Sequence, residues 1–227
     1  AICLAPFGGS AVGFWIMSQG ISWILTVADT VAGWPGACGQ VVAPEPWMLP
    51  VLVMGALLVL LWQGRLRWVG LAPIGVALFF WPSSPRPEVL ISADGGLVGV
   101  MTSEGRALSR PRGKSFVAGI WLENDGDGAD QVEAFDRVPA RQQGKVQTFQ
   151  AVERHFVHVL GKTGLSEWQM SCAPHEVIVL SVEAEPPDGE CLWLTPKALR
   201  DTGSIAFTQG GEMIMANAGA RRLWSAR

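Results

Sequence analysis

The chain has 227 residues, 16% of them charged, and a formal net charge of −3. That balance excludes a strongly basic protein that holds nucleic acid by neutralising phosphates across its whole surface. The charges are also unevenly placed. Residues 1–87 hold only Asp29, Glu45, Arg65, Arg67 and Arg86, and the other 32 charges lie in residues 88–227, as 14 Lys/Arg against 18 Asp/Glu. A membrane part fused to a soluble part of about 140 residues, enough for one small core, is the organisation this predicts.

The first 28 residues carry no charge, and neither a basic leader nor a clear small-residue cleavage site is present. The chain is therefore expected to be the C-terminal part of a longer membrane protein. Pro6, Gly8 and Gly9 mark an irregular start. Gly13 to Ala32 then reads as an amphipathic helix whose polar stripe, Ser18, Ser22, Thr26 and Asp29, falls on one face by its spacing of 4, 4 and 3. Such a helix lies at a membrane surface or turns its polar face into a protein interior or an aqueous path. Trp34-Pro35-Gly36 ends it, and Cys38–Pro46 is a loop.

Two uncharged runs follow, Trp47 to Trp62 and Trp68 to Trp81, on either side of the basic turn Gln63-Gly64-Arg65-Leu66-Arg67. Tryptophan prefers the headgroup layer. The pattern predicts a transmembrane hairpin, although both runs fall short of the roughly 20 residues that cross a bilayer unaided. The alternative is a pair of buried helices in a soluble protein. Arg65 and Arg67 predict a cytoplasmic turn, with the loop before the hairpin and everything after Pro82 outside; Arg86 is a single charge in the other direction.

Pro82–Pro87 is a stiff linker. Short strands are expected at 88–92, 97–102 and 106–109, joined by the hairpin turn of Asp94. A helix over Gly113–Glu123 places Phe116, Ile120 and Trp121 on one side. Further strands are predicted at 146–149, 155–160 and 176–181, the last buried on both faces. A helix fits Thr163–Ser171 and a helical turn 196–201. A closing hairpin, 204–208 with 212–216, turns at Gln209-Gly210-Gly211. The fold class is thus a membrane helical segment, an amphipathic helix plus a transmembrane hairpin, followed by a small α/β domain with a mixed sheet. The domains are 1–81, a linker 82–87, and 88–227.

Few residues point to chemistry. His155 and His158 share a strand at an odd spacing, which puts them on opposite faces, and a zinc site wants three or four ligands; surface or half-buried histidines are expected. The loop Asp125-Gly-Asp127-Gly-Ala-Asp130 has no Glu at the twelfth position of a calcium loop and reads as a solvated turn. Arg106, Arg110, Arg112 and Lys114, like Arg221 and Arg222, read as solvated surface. Cys172 and Cys191 form either a disulfide, which an oxidising compartment would favour, or two buried free thiols. Cys3 and Cys38 have no evident partner. No nucleophile motif, phosphate cradle or paired carboxylates appear, and no cofactor is expected.

The segments GFWIMSQGISWILTVADTVAGWPGA, the hairpin WMLPVLVMGALLVLLWQGRLRWVGLAPI, and PEVLISADGGLVGVMTSEGRALSRPRGKSFVAGIWLENDGD are similar to ComEC-type competence proteins, in the versions with a shortened C-terminal domain. PHEVIVLS and LRDTGSIAF resemble, more loosely, the closing strands of that family's metallo-β-lactamase-like domain. The resemblance implies a multi-pass inner-membrane protein that takes part in passing single-stranded DNA into the cytoplasm, with lipid, single-stranded DNA and other competence proteins as partners and an extracytoplasmic C-terminal domain. No HxHxDH motif is present, so it implies a degenerate, non-catalytic form of that domain and transfers no metal residue. A metal-dependent nuclease and a membrane-anchored module for an envelope partner are the alternatives.

Overall fold

The computed structural model describes residues 10–34, 39–138, 144–169 and 171–217. Among the described residues, the first unit, Ala1–Gln40, holds helix α1 (Ser10–Ala32), and the second, Val41–Arg227, holds the other elements. Cys3, Cys38, Arg221 and Arg222 lie outside the described residues.

The second unit begins with the hairpin. Helix α2 (Met48–Leu61) is followed by a 3-10 turn over Arg65–Gly70, helix α3 (Leu71–Phe80) and a second 3-10 turn over Trp81–Ser83. Gly64 reverses the chain at a φ of 83° that a side chain would disfavour.

Beyond the linker come two sheets. β1 (Val89–Ile91), β2 (Val98–Thr102), β3 (Gly105–Leu108), β8 (Ile205–Phe207) and β9 (Met213–Met215) form an antiparallel sheet ordered β3-β2-β1-β8-β9. β4 (Val146–Ala151), β5 (Arg154–Val159), β6 (Glu176–Leu180) and β7 (Leu192–Leu194) form a mixed sheet in that order, with β5, β6 and β7 parallel. The sheets pack face to face through Val89, Ile91, Val98, Phe156, Val177, Val179 and Phe207. The Phe156 and Phe207 rings meet edge on at 5.1 Å. Helices α4 (Ser115–Asp125) and α5 (Gln131–Asp136) cover the outer face of the first sheet through Leu97, Leu108, Ala118, Leu122 and Ala134. Helix α6 (Gly161–Glu167) and the stacked Trp168 and Trp193 cover that of the second, over Val157, Val159, Ile178 and Leu180. The order of layers is therefore α/β/β/α. Strand β6 alternates between the two cores, which is why its sequence is apolar at every buried position. Helix α7 (Pro196–Thr202), capped by the Thr195 hydroxyl, sends Leu199 into the central core.

On α4, Phe116 is 78% exposed, while Ala118 and Leu122 make the buried stripe with Trp121 packed beside them. Helix α6 begins two residues earlier than expected, at Gly161, and stops at Glu167, where Trp168 turns extended to reach Trp193. The helices at residues 48–80 are left largely uncovered by the rest of the described chain. Leu60 and Phe79 are 76% and 77% exposed, and Leu49, Val53, Met54, Leu57 and Leu78 are also uncovered.

Candidate functional site

The hairpin is held by glycines. A Cβ on Gly55 would sit 2.7 Å from the Gly70 carbonyl and 2.8 Å from Ile74; one on Gly70 would sit 2.6 Å from the Gly55 carbonyl and 2.9 Å from Leu58. The two backbones touch there because neither residue has a side chain, the arrangement that lets helices associate without a hydrophobic driving force. The remaining faces present a row of exposed apolar side chains, among them Leu49, Val53, Leu57, Leu60, Val76 and Phe79, and contiguous bare apolar surface marks an interaction or membrane face. Helix α2 is about 21 Å long. The second arm, Arg65–Ser83, reaches about 33 Å because its 3-10 ends rise faster per residue than an α-helix. That arm and Ala11–Ala32 are long and apolar enough to cross a membrane, whereas α2 is shorter. Arg65 and Arg67 lie exposed at the turn, with the Arg67 guanidinium 5.3 Å from the Trp68 ring.

On α1 the polar stripe partly closes on itself. The hydroxyls of Ser18 and Thr26 donate to the carbonyls of Trp15 and Ser22 at 2.8 Å, and Thr30 donates to Thr26 at 2.6 Å. This back-bonding hides hydroxyls inside the helix's own backbone. Asp29 is the charged member of the stripe.

The two ends of the hairpin lie together and are fastened to the domain. Trp47 and Phe80 meet edge on at 6.2 Å, and the Ser84 hydroxyl lies 3.8 Å from the Met48 sulphur. The strand of chain before α2 forms a strap. Trp81 Nε1 donates to the Val42 carbonyl at 2.7 Å, the Ala43 amide donates to the Asn124 carbonyl at 2.9 Å, and the Arg86 guanidinium donates to the Ala43 carbonyl. A Cβ on Gly126 would meet the Val42 amide at 2.7 Å, so the C-terminus of α4 accepts the strap only as glycine. Burial pushes the Arg86 guanidinium below its ordinary value, against the opposing pull of Asp125.

Arg106, expected as solvated surface, is instead wholly buried on β3. Its guanidinium pairs in two-pronged fashion with Asp125, and its Nη2 also donates to the Pro87 carbonyl at 3.1 Å. It joins α4, the first sheet and the end of the linker. The other carboxylates of the acidic loop are likewise engaged. Asp127 binds Arg137 and the Ala129 amide, and the Arg137 bonds hold its carboxyl below the usual carboxylate range. Asp130 caps α5 through a full capping box with Glu133. This loop is built to end one helix and start the next.

The carboxyl ends of parallel strands are where ligands gather in α/β sheets. Here that end of β5 and β6 is closed by the β1–β2 turn. Asp94 accepts from Ser92 and from the Gly96 amide and pairs with Lys114. Burial opposes its charge, but these bonds outweigh it and hold its carboxyl below the usual range. Gly95 has a φ of 63° and lies so close to the Leu180 carbonyl that a Cβ would overlap it. His158 Nε2 lies 3.0 Å from the Gly95 carbonyl. The ring is completely buried, contrary to the expectation of a surface or half-buried histidine, because β5 turns it toward the central core beside Phe156, while His155 is exposed on the other face. Among the described residues no group of three His, Cys, Asp or Glu side chains could hold a metal ion.

Burial depresses the His158 pKa from 6.5 to about 4. Between those values the unfolded chain binds a proton that the fold rejects, so stability falls as pH falls. The contribution is complete above pH 6.5 and gone at about pH 4, and its size is about 3 kcal/mol. Urea unfolding of the chain in detergent micelles should show this loss, and His158→Leu should flatten it. Asp94 and Asp127 act in a lower window, below their ordinary 3.8.

Cys172 and Cys191 are joined by a disulfide. It staples the amino ends of β6 and β7, which no helix connects. Gly189, at a φ of 154°, lets the crossover pass against Cys172. Closing a loop of 19 residues stabilises by about 3 kcal/mol on the chain-entropy model. Reduction should lower the free energy of unfolding by about that amount, and Cys172→Ala should make the chain insensitive to reductant.

No family model matches the chain, and no curated protein or solved structure matches it.

Proposed function

We propose that this chain is the C-terminal part of an inner-membrane channel protein of the ComEC type, which passes single-stranded DNA into the cytoplasm during natural transformation. The observation that carries the reading is the bare apolar hairpin, seated by both its ends on one α/β/β/α domain, in a chain whose hairpin and first domain strands resemble that family. The hairpin lies in the bilayer with Arg65 and Arg67 on the cytoplasmic side. The domain then stands on the opposite side, where its disulfide is at home. The layered sandwich supports reading it as a metallo-β-lactamase-like domain. The residues present do not fit a metal: the end of the parallel strands is filled by Gly95 and His158, and no ligand group stands there among the described residues. The domain acts as a cap or docking surface, and the Ser18, Ser22, Thr26 and Asp29 face of α1 serves the membrane bundle.

Deleting the full-length gene and following labelled duplex DNA tests the reading. DNA should still reach the periplasm and no longer reach the cytoplasm. Unchanged cytoplasmic uptake would sink the channel reading and favour a module for an envelope partner. Replacing Asp29 and Ser22 with leucine should reduce uptake; no reduction removes the polar-face role of α1.

A further inference from the structure

A second end of the sandwich is open. A cavity of about 600 Å³ lies between the β4–β5 turn of Val152 and Glu153, the adjacent Arg154, His175 before β6, and the β8–β9 turn Gln209–Gly211. Val152, Glu153 and His175 have φ values of 54°, 56° and 71°, a region that residues other than glycine rarely occupy. Three such residues thus converge on one cavity. Arg154 lies with its guanidinium carbon 5.8 Å from the buried Phe207 ring. Among the described residues neither Arg154 nor Glu153 is in an ion pair, so the cavity holds one available cation and one available carboxylate on successive residues.

The cavity also has a defined position. The turn begins just past Phe207, whose carbonyl accepts the Glu88 amide at 2.8 Å. Ser84, which touches the first residue of α2, is four residues before Glu88 and so within roughly 14 Å of it. The cavity therefore opens at the end of the sandwich from which the hairpin departs.

We propose that this cavity receives the phosphoethanolamine headgroup of a membrane phospholipid. The Arg154 guanidinium offers parallel N–H donors to the phosphate. The Glu153 carboxylate takes the ammonium, which two methylenes separate from the phosphate. Gln209 and the glycine turn Gly210–Gly211 line the remaining wall. A choline headgroup has no N–H for Glu153, and a glycerol headgroup has no positive charge. The inference rests on reading the hairpin as inserted in a membrane.

The test is calorimetry on the full chain in maltoside micelles. The probes are dihexanoyl-phosphatidylethanolamine, its choline and glycerol counterparts, and free O-phosphoethanolamine. One ethanolamine lipid should bind per chain, at least tenfold tighter than the choline lipid. Arg154→Gln should weaken it at least tenfold, and Glu153→Gln should erase the preference over choline. Arg154→Lys, which keeps the charge without the fork, should bind with intermediate strength and serves if the Gln variant does not fold. Equal binding of all three lipids, or no change in the Arg154 variants, overturns the site. O-phosphoethanolamine binding as tightly as the lipid overturns the lipid source. Flotation with vesicles is read in parallel. A wild-type chain that fails to float removes the membrane reading itself, whereas flotation without headgroup selectivity removes only the site.

Discussion

Gly55→Leu is expected to open the hairpin. The new side chain would have to enter where the Gly70 carbonyl, Ile74 and Pro73 already stand within 2.9 Å of the Cβ position, and one of those neighbours is backbone. Ordinary overpacking costs about 1–3 kcal/mol where side chains can shift; a backbone carbonyl on the other helix shifts only if the helices separate. Amide hydrogen exchange in micelles should show the protection of residues 48–61 falling at least tenfold, together with that of 71–80. Gly75→Leu is the control, since nothing lies within 4 Å of a Cβ there, and it should leave both helices protected. Equal protection in the two variants would mean that the glycine contact does not hold the arms together.

The second large effect belongs to the buried ion pair. Arg106 is 0% exposed and Asp125 is 7% exposed by side chain, so Asp125→Ala strands a guanidinium with only carbonyls for company. Breaking a buried pair from one side costs about 3–5 kcal/mol. Urea unfolding should show the single variant destabilised by that amount. The double variant Arg106→Met with Asp125→Leu should recover most of it, because two apolar groups leave no orphaned charge. A double variant as unstable as the single one would show that the pair's geometry, rather than the stranded charge, is what matters. Arg106→Lys should also destabilise, since an ammonium cannot reproduce the fork that reaches Asp125 and Pro87 together.

The hairpin was legible because its signal is an absence of charge over two runs, which needs no partner to be read. Most strands were legible for a similar reason: β6 spells out its two-faced burial in five residues. Helix α5 left a local signal that went unread, the Asp130-Gln-Val-Glu133 capping box. Strand β7 is three residues long and depends on β6 for its identity, so no periodicity marks it. The buried state of Arg106 comes from α4, which lies across β3 and supplies Asp125 from 19 residues away. His158 is flanked by Phe156, Val157 and Val159, an apolar setting that hinted at burial, but the Gly95 carbonyl it meets is 63 residues distant. The glycine contact of the hairpin and the charged cavity also belong to tertiary structure. Gly55 and Gly70 are unremarkable until the arms are folded, and the cavity is assembled from three turns far apart in sequence.

The strap gives the molecule a mechanical property. A domain joined to its anchor by one linker swings on that linker, and a tug on it loads a single covalent connection. Here the segment entering α2 and the segment leaving α3 both grip the same corner of the sandwich, through Ala43 with Asn124 and through Pro87 with Arg106. Load applied to the domain is therefore shared between the two arms at their common rim, and a tilt of the sandwich becomes a tilt of the hairpin.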